Sequence, residues 1–268
     1  MTKPILRPYQ SRAIELVRDS LRRKNKRIVV LLATGGGKSI ICQSIIESAL
    51  KKGARVMFLV NRVQLVDQMS EHLSKAGIIH GILQSANTRG AYHPVVIASI
   101  ATIHARGYPE VGIILADECH AAAGSKKYQQ LFEHYKDIPI IGVTATASMV
   151  KGLGKEYPWG KLFEDIVCPI SIPELIEQGF LVDVDVYAPS EPDLSGVKTV
   201  AGDYHEGQLS IAVNKPVLIC DIVENWLKRT PGKQTVCFAV DIEHSKSIIK
   251  QFVAAGVLAE HIDYRMTY

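Results

Sequence analysis

The sequence predicts an α/β protein built on a doubly wound parallel sheet, and three observations carry that expectation. Short apolar, β-branched runs recur along the first half of the chain, each long enough for a buried strand. Segments with helical apolar spacing alternate with them, which is the rhythm of strand–helix–strand units. Glycines, carboxylates and hydroxyls collect just past the strand ends, where ligands bind in sheets of this kind. With 268 residues, 47% of them hydrophobic, the chain can bury a substantial core and holds one large α/β domain or two smaller ones.

Leu6-Arg7-Pro8-Tyr9-Gln10 opens the first helix, Pro8 suiting its first turn and Ala13, Ile14, Val17 and Leu21 giving it an apolar face. The cluster Arg22, Arg23, Lys24, Lys26 and Arg27 closes it, either as a solvated end that complements the helix dipole or as a phosphate contact. Ile28 to Ala33 is a strand, and the apolar spacing from Ile40 to Leu50 is a helix. Arg55 to Val60 is the next strand, with Asn61 and Arg62 at its end and a helix through Leu65, Val66, Met69 and Leu73, stopped by Gly77. Further strands are Pro94 to Ser99, Val111 to Ala116 and Pro139 to Val143, the last ending in Thr144-Ala145-Thr146-Ala147.

Lys151 to Gly160 reads as loop, and Ser171-Ile172-Pro173-Glu174 as a capping box opening a short helix that Gly179 ends. Val182 to Ala188 alternates with period 2, as a half-buried strand would. Pro189 to Pro216 lacks periodic apolar pattern and reads as an extended connection. A helix (Ile219, Ile222, Val223, Trp226), a strand (Thr235 to Val240) and a helix (Ile242 to Ala255, closed by Gly256) then resume the α/β rhythm. The expected organisation is a first domain over 1–170, a connector over 171–216 and part of a second α/β domain over 217–268.

The chemistry centres on Thr34-Gly35-Gly36-Gly37-Lys38-Ser39, set between a strand and a helix. Glycines let backbone N–H groups approach phosphate oxygens, and the helix N-terminus adds a positive dipole. Lys38 reaches the β- and γ-phosphates in such a loop and the Ser39 hydroxyl sits on Mg²⁺. The general pattern asks for glycine where Leu32 stands, so a plain glycine-rich turn is the competing reading. Asp117-Glu118, directly after a buried strand, supplies the natural second half. Asp117 can hold Mg²⁺ through water, and Glu118 can orient and deprotonate the water that attacks a γ-phosphate. An Asp at a strand end can also simply cap the following turn.

Taken together, Ala33 to Ser39, Asp117-Glu118-Cys119-His120 and Thr144-Ala145-Thr146 resemble motifs I, II and III of superfamily-2 helicases and translocases of the DEAD/H type. Leu6 to Gln10 resembles their adenine-recognition segment. Val60-Asn61-Arg62 with Leu65 and Gln68 is similar to motif Ia, Ile97 to Ile103 to motif Ib, and Thr235 to Lys246 to motif IV. The resemblance implies a RecA-like first domain followed by an incomplete second RecA-like domain, with ATP and Mg²⁺ as cofactors. It implies that Gln10, with Arg7, reads the adenine, that Gly35 to Gly37 and Lys38 hold phosphates, and that Ser39 and Asp117 hold the metal. It makes Glu118 the base, His120, Thr144 and Thr146 the coupling residues, and Arg62 and Thr102 contacts to the phosphates of a nucleic-acid strand. Tyr9 reads equally as core, the threonines as strand-end hydrogen bonds, Arg62 as a surface ion pair, and Cys119 as a small packed residue.

No Gln-x-x-Gly-Arg-x-x-Arg-like stretch is found. The expectation is therefore a fragment, or a shortened motor completed by a missing C-terminal region or a protein partner. DNA rather than RNA is the expected nucleic acid, in the restriction-type and repair branch. The competing function is a nucleotide-dependent DNA-binding module without motor activity; a plain P-loop kinase fits less well, because no arginine-rich lid is present. The net charge of +4 permits a nucleic-acid partner without requiring one. Five scattered cysteines without a C-x-x-C pair suit reduced thiols rather than a zinc site. No apolar run reaches membrane-spanning length and Met1-Thr2-Lys3-Pro4 opens no signal peptide, so the expectation is a soluble cytoplasmic protein without a membrane partner.

Overall fold

The continuous apolar strand runs of the first half become buried on both faces, as parallel strands must be when helices cover each side. The computed structural model describes residues 5–61, 63–85, 87, 89–122, 125–146, 162–187, 192–200, 203–263 and 265–266. Its contacts divide the chain into two units, Met1–Asp183 and Val184–Tyr268.

In chain order the first unit contains α1 (Pro8–Arg22), β1 (Arg27–Leu31), α2 (Lys38–Leu50), β2 (Val56–Val60), α3 (Val63–Lys75), β3 (Gly81–Leu83) and β4 (Val95–Ser99). It continues with α4 (Ile100–Arg106), β5 (Ile113–Asp117), a 3₁₀ turn at Cys119–Ala122, α5 (Lys126–His134), β6 (Ile140–Thr144), β7 (Asp165–Val167) and α6 (Ile172–Glu177). The strands form one seven-stranded sheet in the order β3-β4-β2-β5-β6-β1-β7, with every pairing parallel. This is the RecA-like α/β sheet that the sequence predicts. The carboxyl ends of β1, β5 and β6 lie side by side, because Leu31 pairs with Thr144 and Asp117 with Val143.

Side chains alternate across the sheet. Ile28 and Val30 join α1, α2 and α3 in one apolar layer, through Ile14, Val17, Ile46, Val66 and Leu73. Val29 faces the opposite layer with Met57, Leu59, Ile114, Tyr128, Leu131 and Phe132. Gly142 in β6 is required by close approach, since a Cβ there would stand 2.5 Å from the Cys119 sulfur. The capping box opening α6 forms, with the Ser171 hydroxyl accepting from Glu174 N–H and the Glu174 carboxylate accepting from Ser171 N–H at 2.8 Å. Leu175 of that helix is buried in the first unit's core. The basic cluster after α1 sits at the amino end of the sheet in ion pairs. Arg22 pairs with Asp19, Arg23 with Asp165 at 2.7 Å, and Lys26 with Asp137 at 3.0 Å.

The second unit holds β8 (Thr199–Val200), β9 (Asp203–Tyr204), α7 (Glu206–Val213), α8 (Pro216–Arg229) and α9 (Ile242–Ala254). Its core is Ile219 and Val223 of α8 against Ile248 and Phe252 of α9. Three expectations are corrected here. The strand expected over Val182 to Ala188 does not form within 182–187; Val182, Val184 and Val186 are all exposed, so the period-2 pattern faces no layer. The strand expected over Thr235 to Val240 stays outside any sheet, with Val236 75% and Phe238 92% exposed, because no neighbouring strand among the described residues pairs with it. The connection read as extended over Pro189 to Pro216 contains the β8–β9 hairpin and α7. That helix escapes periodicity because Leu209, Ile211, Ala212 and Val213 spread around it rather than along one stripe. Arg62, Ala147, the 151–160 loop and Ala188 lie outside the described residues. Among the described residues no helix is long and apolar enough to cross a membrane.

Candidate functional site

β1 delivers its carboxyl end into a turn that must reverse within a few residues to start α2. Gly35 and Gly37 take φ of 81° and 84°, conformations an L side chain resists. Space enforces the same choice at Gly37, where a Cβ would lie 2.4 Å from Gln10 Nε2. The turn is fixed by Gly36 N–H donating to the Ala33 carbonyl at 3.0 Å. Lys38 and Ser39 then open α2, whose first-turn N–H groups face the turn.

The start of α1 braces this loop. Tyr9 donates its hydroxyl proton to the Gly36 carbonyl at 3.0 Å, and Gln10 Nε2 donates to the same oxygen at 3.2 Å. Gln10 Oε1 accepts Arg7 N–H at 2.9 Å, and the side chain is 4% exposed. Gln10, expected at a base, is thus placed between helix start and loop. Arg7 is exposed and lays its guanidinium 4.6 Å above the Phe180 ring, which also meets Tyr9 edge-on. Phe180 stands just past the Gln178-Gly179 end of α6 and belongs to no periodic segment, so nothing in the sequence marks it.

β5 brings Asp117 and Glu118 to the same edge. Asp117 Oδ1 accepts Glu118 N–H at 3.0 Å, and Glu118 itself holds φ of 45°, a left-handed conformation that costs a non-glycine residue about 1–2 kcal/mol. Its carboxylate is a meeting point. Lys38 Nζ lies 4.0 Å from Oε1, and His120 Nδ1 lies 3.1 Å from Oε2. Thr144, wholly buried at the end of β6, donates to Oε2 at 3.4 Å, and its hydroxyl oxygen also meets His120 Nδ1 at 3.0 Å and accepts Thr146 N–H at 3.1 Å. One carboxylate therefore joins the loop lysine, the 3₁₀ turn and the end of β6. Burial, and then the neighbouring Glu118 carboxylate, raises the Asp117 pKa above the ordinary aspartate range. Behind it, burial and the Asp117 charge push the Cys42 thiol up, so it is an inert packed group.

Some site-lining residues carried no signal in the sequence. His72 of α3 has its Nε2 buried with no hydrogen-bond partner among the described residues, and burial lowers its pKa. With Leu65, Gln68 and Met69 it walls a cavity of about 70 Å³ against Lys38, Ser39 and Asp117. Thr102 is buried at the start of α4, where its hydroxyl meets Ser99 Oγ at 2.8 Å and accepts Ser85 N–H at 2.7 Å. It faces the protein interior. Thr34 is exposed at the loop mouth, and Arg62 lies outside the described residues.

Residues 3–149 match the family described as the type III restriction enzyme, res subunit. A 51.5 kDa protein of a Lactococcus phage (isolate 7-9) is 28% identical over 229 residues, covering 85% of this chain and 47% of that one. A Saccharomyces cerevisiae protein named "Putative ATP-dependent helicase IRC3" is also 28% identical, covering 97% of this chain and 40% of its own length. Among solved structures, a nuclease-deletion mutant of the type ISP restriction-modification enzyme LlaGI, in complex with a DNA substrate mimic, superposes with a TM-score of 0.52. That match is at 16% identity over 86% of this chain and 23% of the other, a likeness of fold. The chain spans less than half the length of the curated relatives it matches.

Proposed function

We propose, from the fact that this chain belongs to the type III restriction enzyme res-subunit family and with it to superfamily 2, that its first unit hydrolyses ATP in response to DNA. In this reading hydrolysis serves a helicase or translocase. The observation that carries it is the convergence of Lys38, His120 and Thr144 on the Glu118 carboxylate. A capping aspartate–glutamate pair has no need of a lysine delivered from a glycine loop two strands away.

The proposed chemistry follows from that placement. Gly35 to Gly37 and the first N–H groups of α2 receive the phosphates, and Lys38 neutralises charge on the outer ones. Glu118 takes a proton from water as the water oxygen bonds to the γ-phosphorus and the bond to the ADP oxygen breaks. Ser39 and Asp117 would hold Mg²⁺. The fit is physical: both donors are oxygens, as this hard cation prefers, and the buried Asp117 carboxylate, disfavoured as an anion beside Glu118, is relieved by a cation. Among the described residues no group of three or more His, Cys, Asp and Glu side chains could enclose a metal, and an ion held by Ser39 and Asp117 would complete its shell with phosphate oxygens and water. When bound, the ion supplies charge neutralisation at the phosphoryl group.

His120 and Thr144 report the state of the Glu118 carboxylate to the 3₁₀ turn and to Thr146, which makes them the coupling residues of this reading. DNA as the activator is supported by the restriction-enzyme family and by the DNA mimic bound to LlaGI. Arg62 and the α4 region around Thr102 are its proposed contacts, sequence-independent and salt-sensitive. The test is steady-state ATP hydrolysis with and without single- and double-stranded DNA, beside Glu118→Gln. DNA-stimulated turnover that falls about 10²–10⁴-fold in the variant, with nucleotide binding retained, supports the reading. Binding without turnover would instead make this chain a nucleotide-gated DNA-binding module.

A further inference from the structure

Glu118 is held in a backbone conformation that an L residue adopts only when its surroundings fix it. Asp117 fixes its N–H side. Its carbonyl is held by Ala121 N–H at 3.0 Å, within the 3₁₀ turn, and by the Asn61 side chain, whose Nδ2 donates to it at 3.3 Å. Asn61 stands directly beyond the end of β2, the strand beside β5, and has no assigned role in the nucleotide pocket. Its amide is oriented by a second bond, because Tyr128 of α5 donates its hydroxyl to Asn61 Oδ1. The Glu118 carbonyl settles which way the amide points, since it can only accept and so takes the NH₂ group, leaving Oδ1 to be held by the Tyr128 hydroxyl. Tyr128 is 2% exposed and packs edge-on against Phe132, so the chain of bonds is rooted in the apolar layer beneath the sheet.

We infer that Asn61 and Tyr128 form a positioning relay for Glu118. Tyr128 orients the Asn61 amide, and the amide holds the strained Glu118 peptide so that the carboxylate stays aimed between Lys38 and His120. The inference rests on the reading of Glu118 as the hydrolytic base. Neither residue touches the nucleotide pocket in this account; both act through the Glu118 backbone. Because Asn61 immediately precedes Arg62, the proposed nucleic-acid contact, the relay also gives a strand bound at the end of β2 a short mechanical route to the base. It is one peptide and one hydrogen bond long.

The experiment compares wild type, Asn61→Ala, Tyr128→Phe and the double variant in DNA-stimulated ATP hydrolysis, with fluorescent ATP-analogue affinity measured separately and Glu118→Gln as the control. Asn61→Ala is expected to lower kcat about tenfold while the nucleotide dissociation constant changes less than about twofold, since the phosphate loop is untouched. Tyr128→Phe keeps the ring and removes only the hydroxyl, and is expected to lower kcat about threefold. The double variant should match Asn61→Ala alone, because the hydroxyl acts only through the amide. A merely structural role would lower the melting temperature and leave kcat per folded molecule unchanged, or would give additive losses; either result overturns the relay. If wild type shows no turnover that Glu118→Gln abolishes, the reading of the site falls and the relay with it. If turnover is present and Asn61→Ala leaves kcat intact, only the relay falls.

Discussion

Two stretches of this chain carry nearly the same local pattern and end differently. In the first unit, Arg27 to Leu31 leads through a tight turn into α2; in the second, Thr235 to Val240 leads through Asp241 into α9. Both helices form. α9 is secured by local means, the Asp241 carboxylate accepting His244 N–H at 2.7 Å and the helix packing Ile248 and Phe252 on α8. The strands diverge. β1 is paired on one edge by β6 and on the other by β7, and Ile28, Val29 and Val30 are fully buried. The segment at 235–240 is outside any sheet and leaves Phe238 92% exposed. A helix closes its hydrogen bonds within itself, whereas a strand borrows them from neighbours. Apolar, β-branched sequence is therefore sufficient for a strand only where the fold supplies a partner.

Hydrogen exchange tests that contrast with the largest expected effect. Amides of β1, β2 and β6 should exchange at least about 10⁴-fold more slowly than those of 234–239, which should approach unprotected rates. Slow exchange across 234–239 would break the comparison, because it would mean the segment finds a strand partner in solution. A smaller effect separates the two cores. Phe252 anchors the four-residue core of the second unit and meets Trp226 edge-on at 5.6 Å. Phe252→Ala should destabilise that unit by about 3 kcal/mol, lowering the melting of α8 and α9 and leaving the melting of the sheet in place. A shared shift of both transitions would show that the units unfold together.

The same contrast explains what could be read from the sequence. The five principal strands were legible because double-sided burial demands unbroken apolar runs, and α1, α3, α8 and α9 because each keeps an apolar stripe; α2 is apolar more evenly around its axis and was legible from its density of apolar residues after the glycine turn. The edge strands β3 and β7, three residues each, are too short to leave a pattern. α7 left none because its apolar residues surround it. In the site, Lys38, Asp117, Glu118, His120 and Thr144 stood out as chemically meaningful residues at strand ends, and the fold brings them together. Asn61 was noticed only as part of a strand-end motif, and His72, Tyr128 and Phe180 did not stand out, since what each touches lies far away in sequence. Tyr128 reaches Asn61 across 67 residues, and Arg7 reaches Phe180 across far more. Gln10 and Thr102 show the converse: residues expected to face ligands have their polar atoms engaged within the protein.

The finest test concerns a destabilising feature that the first unit tolerates. Asp117 is raised above its ordinary pKa of 3.8, first by burial and then by Glu118. The folded chain thus binds this proton more readily than the unfolded chain does. The group favours the folded state below the unfolded pKa, and that advantage is lost as pH rises from there through the raised folded value. At neutral pH the wild type therefore carries a buried, poorly tolerated carboxylate, and Asp117→Asn should raise the melting temperature of the sheet by the equivalent of on the order of 1 kcal/mol. The difference should shrink as pH falls through the raised folded value and level off below 3.8, where the wild-type carboxyl is neutral in both states. Adding Mg²⁺ and ATP should reverse the order, stabilising wild type by ligand linkage and leaving the variant nearly unmoved. Melting of α8 and α9 should be the same in both proteins throughout. A variant that is no more stable than wild type at pH 7, or whose advantage persists unchanged at low pH, would show that the Asp117 charge is not the source of the strain, and that the site is as relaxed as the rest of the sheet.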